Sequence, residues 1–149
     1  EVQNRITRLN FESRMQLEIT PQLEATVLDT LVQPLLDSLF MAHEAPLGDK
    51  VQGSNEYAEN FQAKGPRDSQ GRSLRELNLQ TRTFQYPLSY LIYSPAIAAL
   101  HEQVRTYLFA QIKAVLESAA GAPAYPHLTQ DQRSSIAAIL RETKPEVLQ

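Results

Sequence analysis

Leu23, Val27, Leu28, Leu31, Val32, Leu35, Leu36, Leu39 and Phe40 recur at steps of three and four residues. That spacing lines one side of an α-helix and would scatter over both faces of a strand. A second stripe, Ile97, Leu100, Val104, Tyr107, Leu108, Ile112, Val115 and Leu116, runs on for about five turns. Two long amphipathic helices must therefore meet face to face, and the chain is expected to be all-α, a compact irregular bundle of about five to seven helices. Far-UV circular dichroism should then report roughly 55–70% helix, against about one third in an average globular protein.

The remaining elements follow from caps and breakers. Residues 2–17 carry a weaker stripe, Ile6, Leu9 and Met15, expected to point inward. Thr20 and Pro21 suit the N-cap and first position of the second helix, and Pro34 inside that helix is expected to kink or split it. Residues 45–54 read as a loop, after which Ser54 can cap a short helix over 55–63 that Gly65 ends in the left-handed conformation. Ser73-Leu74-Arg75-Glu76 fits a capping box, so a helix is expected near Leu74. Residues 88–93 read as a short buried helix, with an extended alternative there and over 51–57. Ser94-Pro95 starts the next helix, which Gly121 ends, and Thr129-Gln130-Asp131-Gln132 is a second capping box, opening a last helix with Ile136, Ile139 and Leu140 inward. His43 falls at a helix end, where its charge suits the dipole, and His101 falls on the apolar helix beside Leu100 and Val104.

Composition narrows the classes. The chain has 149 residues, one domain's worth, with 42% hydrophobic and 21% charged residues. A net charge of -3 argues against a nucleic-acid binder. No apolar run approaches the ~20 residues that span a bilayer. There are no cysteines, which excludes disulfides, Cys–zinc sites and thiol catalysis within this chain. His43, His101 and His127 form no close-spaced ligand pair, no Ser sits in a nucleophile elbow, and the carboxylate pairs Asp29/Asp37 and Glu12/Glu18 fall on polar faces. No metal, cofactor or catalytic residue is assigned, and an enzyme is the less favoured reading. The chain starts at Glu1 without Met, which reads as a processed product or the C-terminal piece of a longer protein, folded as a single domain over 1–149. Cytoplasmic and bacterial periplasmic or secreted locations both suit it.

The chemistry-bearing stretch is 65–94, where Arg67, Arg72, Arg75 and Arg82 are interleaved with Tyr86, Tyr90 and Tyr93. Its start, Gly65-Pro66-Arg67-Asp68-Ser69-Gln70-Gly71-Arg72-Ser73, has the outline of a phosphate loop. However, five residues separate the glycines instead of four, Arg stands where Lys belongs, and a helix precedes it. A tight connector is the alternative, with glycines at positive φ and Asp68 bonding local amides. Arg72, Arg75, Arg82, Tyr86, Tyr90 and Tyr93 are the candidate ligand- or partner-binding residues, since Arg presents a planar fork to carboxylate or phosphate. The other reading is structural, with the arginines on helix-end carbonyls and paired to acids such as Glu12, Glu18, Glu24 and Asp29, and the tyrosines forming an aromatic core layer.

Gly65-Pro66-Arg67-Asp68, Gly71-Arg72-Ser73-Leu74-Arg75, and Tyr86-Pro87 with Ser89-Tyr90-Leu91-Ile92-Tyr93-Ser94-Pro95 resemble the C-terminal part of longer bacterial proteins without an assigned activity. Glu44-Ala45-Pro46-Leu47 and Arg141-Glu142-Thr143-Lys144-Pro145 extend the resemblance over about 35–145. It implies a bacterial origin and a preceding region, and carries over no catalytic residue. Three functions follow as expectations. The first is a non-enzymatic helical module that docks through the Arg/Tyr segment to its parent protein's N-terminal region or to another protein subunit. The second is a domain that binds or converts a small anionic ligand held by Arg72, Arg75 and Arg82. The third is the cofactor-free tail of a redox protein. Converging Arg and Tyr groups in a deep pocket would favour the second, and a flat apolar patch rimmed by Arg the first.

Overall fold

The two predicted stripes are the centre of the molecule. In the computed structural model, which describes residues 1–19, 22–45, 47–48, 55–119 and 121–149, the described residues form six α-helices and two short 3-10 helices. Helix α1 (Val2–Ile19) lies against α2 (Ala25–Leu39), α2 against α5 (Glu102–Glu117), and α5 against α6 (Gln130–Thr143). Helix α3 (Asn55–Ala63) and the four-residue α4 (Pro95–Ala98) frame an irregular stretch between them. Among the described residues the extended structure is one isolated antiparallel bridge, Leu77 to Phe84. The chain is all-α, and no described helix is long and apolar enough to cross a membrane. One continuous core holds Leu28, Val32, Leu35, Leu36 and Leu39 of α2 with Val104, Leu108, Ile112 and Leu116 of α5.

Several expectations are corrected. Helix α2 begins at Ala25, after Glu24, whose side chain makes no cap bond; Thr20, Pro21 and Ser54 lie outside the described residues, as do 51–54 and most of the 45–54 loop. Leu23 is still buried, its amide donated to the Gln103 side chain at 3.0 Å. Helix α2 is not split at Pro34, which lies inside it on the exposed side, where water can meet the freed carbonyl. It ends in a Schellman motif: Ala42 donates to the Asp37 carbonyl at 2.9 Å and Met41 to that of Ser38 at 3.3 Å. Met41 takes φ 56°, where glycine is usual. That motif closes the helix before His43, which lies in the turn beyond it. In α1 the inward residues are Ile6, Leu9 and Ser13, whereas Met15 faces water.

The predicted long helix from Pro95 is two helices. His101 adopts extended backbone (φ -54°, ψ 142°) and its Nδ1 accepts the Gln103 amide at 3.3 Å, capping α5. Arg105 Nη1 donates to the carbonyls of Ala98 and Leu100 at 2.9 and 3.0 Å, closing α4. At the other end α5 stops at Glu117; Gly121, at φ 89°, lies beyond it. The buried Arg133 of α6 donates to the carbonyls of Val115 and Ser118 there, a cation at a helix C-terminus. The expected helix starts at Pro95 and Thr129 are both present: Ser94 accepts from Ile97, and Thr129 and Gln132 form the full capping box. The 55–63 helix is present as α3.

Candidate functional site

Residues 65–94 leave α3, fold back and reach α4 by a path pinned at nearly every step. Gly65 is required by closeness: a Cβ there would lie 2.7 Å from Ser73 Oγ and 2.8 Å from Arg75 Cδ. Its φ is not left-handed, so a close approach of chains, and not a helix-ending turn, is what asks for glycine here. Gly71 does take positive φ, 78°. Between them the buried Asp68 organises the loop. Its Oδ1 accepts from the amides of Gln70 and Arg72 at 3.0 and 2.8 Å, and its Oδ2 from Arg72 Nε at 2.8 Å. Burial pushes this carboxyl up, but the amide and guanidinium of Arg72 and the Gln70 amide outweigh it and hold the group below its ordinary range.

The Ser73 capping box forms in half and without a helix. Glu76 accepts the Ser73 amide at 3.0 Å and Ser73 Oγ accepts from Arg75 at 3.2 Å. A helix would next send the Leu77 amide to the Ser73 carbonyl; instead it goes to the Gln62 side chain on α3 at 3.0 Å. The chain then turns through Asn78 and Leu79 (φ 55°) and returns to the bridge at Phe84. After Pro87, Ser89 caps a 3-10 helix, Tyr90–Tyr93, shorter than the expected buried helix over 88–93.

The arginines diverge. Arg67 donates to the carbonyls of Gly71 and Gln62 and meets Glu76 at 3.3 Å. Arg72 belongs to Asp68. Arg75 lies between two rings, its guanidinium carbon 4.0 Å from the Tyr90 centroid and 4.7 Å from that of Phe61. Arg82 grips Glu44 Oε2 through Nε and Nη2 at 3.3 and 3.2 Å, while the Thr83 amide takes Glu44 Oε1 at 3.0 Å. The acid partners are thus Asp68, Glu76 and Glu44 rather than Glu12, Glu18, Glu24 or Asp29. Glu12 pairs with Arg8, and Asp29 accepts from Tyr107.

The tyrosines separate as well. Tyr90 joins an aromatic cluster, edge-on to Phe61 at 5.3 Å and tilted to Phe84 at 5.9 Å. Tyr93 reaches α6, where its hydroxyl meets Thr143 Oγ1 at 2.7 Å, and burial raises its pKa. Tyr86 is half-buried, its pKa raised by burial and by the charge of Glu76. Of the six candidate residues, Arg75 and Tyr90 are brought into contact. Further ties lock the segment to the bundle: Glu142 of α6 accepts both the amide and hydroxyl of Ser69, at 2.6 and 2.8 Å, and the Ser89 amide donates to Leu39 at the end of α2 at 2.8 Å.

Two small cavities flank the Glu44–Arg82 pair. One, of about 270 Å³, is lined by Arg82, Glu44, Thr81, His127 and Gln132; the other, of about 450 Å³, by Asp37, His43, Glu44, Thr83 and Phe84. His127 Nε2 lies 2.7 Å from the Phe40 carbonyl, to which it donates. Nearby, the Tyr125 hydroxyl donates to Asp37 at 2.8 Å, and burial together with that bond drives its pKa up. Among the described residues no group of three or more His, Asp or Glu could hold a metal ion.

Sequence reasoning missed another surface. Phe11, Met15 and Ile19 of α1 are 67%, 47% and 77% exposed, in a line along the helix, with Tyr57 of α3 exposed elsewhere. The signal was their uniform four-residue spacing, in register with one another and out of register with Ile6 and Leu9.

No family model matches the chain, and neither a curated protein nor a solved structure matches it significantly.

Proposed function

We propose that this chain is a non-enzymatic helical interaction module in which residues 65–94 build the scaffold and the outward side of α1 makes the contact. The observation that carries this is the distribution of satisfied and unsatisfied surface. Arg72, Arg75 and Arg82 each have a separate internal partner, whereas Phe11, Met15 and Ile19 keep large apolar side chains in water along one line. A guanidinium already paired to a carboxylate or stacked between rings has little left to offer a ligand. An exposed apolar line on a helix is the usual mark of a protein contact. The partner is a protein surface, in the parent polypeptide or in another subunit.

A second reading rests on Arg82, which borders the 270 Å³ cavity with His127 and Gln132. A small carboxylate or phosphate seated there would make the domain a ligand binder. Thermal unfolding in inorganic phosphate and in acetate, each against sodium chloride of equal ionic strength, separates the two. The interaction module predicts no shift beyond the chloride control. A saturable rise in Tm would overturn it in favour of the anion site.

A further inference from the structure

The outward line of α1 has a symmetry that names its occupant: we infer that it binds a second copy of itself, with two α1 helices antiparallel about a two-fold axis at Met15. This rests on the interaction-module reading and specifies its partner. In such a pair, residue i of one helix lies level with residue 30 − i of the other. Met15 meets Met15, and Phe11 packs on Ile19 of the second copy, so each of the three exposed side chains, 67%, 47% and 77% accessible, finds an apolar neighbour. Self-complementarity of this kind is what a two-fold interface requires.

The charges agree. Arg14 and Glu18 are one turn apart on the same flank of the line; both are exposed, and neither makes an ion pair among the described residues. In the antiparallel pair this flank meets the same flank of the other helix. Arg14 then stands about two residues, or ~3 Å along the axis, from Glu18 of the second copy, and the reciprocal pair forms on the same side. On the opposite flank Arg8 and Glu12 already neutralise each other at 2.7 Å. Three apolar side chains fall short of the ~800 Å² per partner of a standard interface, so the dimer is weak, with Kd on the order of 0.1 mM.

The chain has no cysteine, which makes its geometry directly readable by single introduced thiols. Under mild oxidation Met15→Cys should give a disulfide dimer. Phe11→Cys alone and Ile19→Cys alone should not, but their equimolar mixture should. Sedimentation velocity of the unmodified chain between about 10 µM and about 1 mM should show a monomer–dimer equilibrium. Met15→Lys, which sets two ammonium groups at the axis, should weaken it at least tenfold, with circular dichroism confirming the fold. Arg14→Glu should weaken it too, and the double swap Arg14→Glu/Glu18→Arg should restore it. A chain monomeric at 1 mM, a Phe11→Cys dimer that forms by itself, or a dimer indifferent to Met15→Lys would each overturn the inference. None of these outcomes bears on the anion titration, so the two proposals fail separately.

Discussion

Residues 65–94 and helix α1 invert the usual roles of loop and helix. The irregular stretch has little repetitive structure, yet Asp68, Glu76, Gln62 and Glu142 satisfy its amides one by one. Helix α1 is regular for 18 residues, yet it leaves a row of apolar side chains in water. A helix satisfies its own backbone, so its side chains are free to differ in purpose from face to face. A non-repetitive segment has no such freedom: each polar group needs a particular partner, and dense Arg, Asp and Ser supply them. Chemical richness in this chain therefore marks construction, and the plain helix carries the free surface.

The contrast can be broken by substitution, and the largest effects belong to the irregular side. Removing a buried, hydrogen-bonded carboxylate leaves its partners uncompensated, so Asp68→Ala should cost about 3–4 kcal/mol by chemical denaturation. Arg82→Ala breaks a half-buried pair with Glu44 and should cost about 1.5–3 kcal/mol. Losses under about 1 kcal/mol, the range of exposed pairs, would return the segment to the status of a free surface. Gly65→Ala comes next. Its Cβ would press on Ser73 Oγ and Arg75 Cδ, and displacing them should cost about 1–3 kcal/mol. Arg75→Ala should cost a similar ~1–2 kcal/mol from lost ring stacking and stem packing, with Arg75→Lys recovering part of it.

Acid sharpens the comparison without a substitution. The folded-state pKa of Asp68 lies below its ordinary value, so its stabilisation is present above about pH 4 and is lost as pH falls through the lowered pKa. Asp68→Asn should flatten this acid limb in a series of denaturation curves. The smallest effects belong to the helical side. Met41→Gly relieves a left-handed residue and should stabilise by up to about 1 kcal/mol, while Met15→Lys should change monomer stability by less than ~0.5 kcal/mol.

The fold class was legible because helical periodicity is a property of long segments, and Leu28 to Leu39 and Val104 to Leu116 carry it without interruption. What escaped was decided by single side chains from elsewhere. The apolar stripe continues straight through His101, but a side-chain cap and the reach of Arg105 break the helix there. The Ser73 box has all its local residues, and Gln62, eleven positions earlier, takes the amide that a helix would need. Within residues 65–94, the bonding of Asp68 to local amides was legible in the sequence, whereas the acids that the arginines meet, Asp68, Glu76 and Glu44, were not. Met15 looked like core because its neighbours Ile6 and Leu9 are.

The ties of residues 65–94 also order events in time. Ser69 to Glu142 and Tyr93 to Thr143 join positions 73 and 50 residues apart, whereas α1 with α2 and α5 with α6 are close in sequence. Closing long loops is slow and unrewarded until both ends are formed. The two helical hairpins should assemble first and the segment should lock last. Its substitutions would then leave the refolding rate nearly unchanged and speed unfolding, which makes residues 65–94 the latch that sets how long the folded molecule survives.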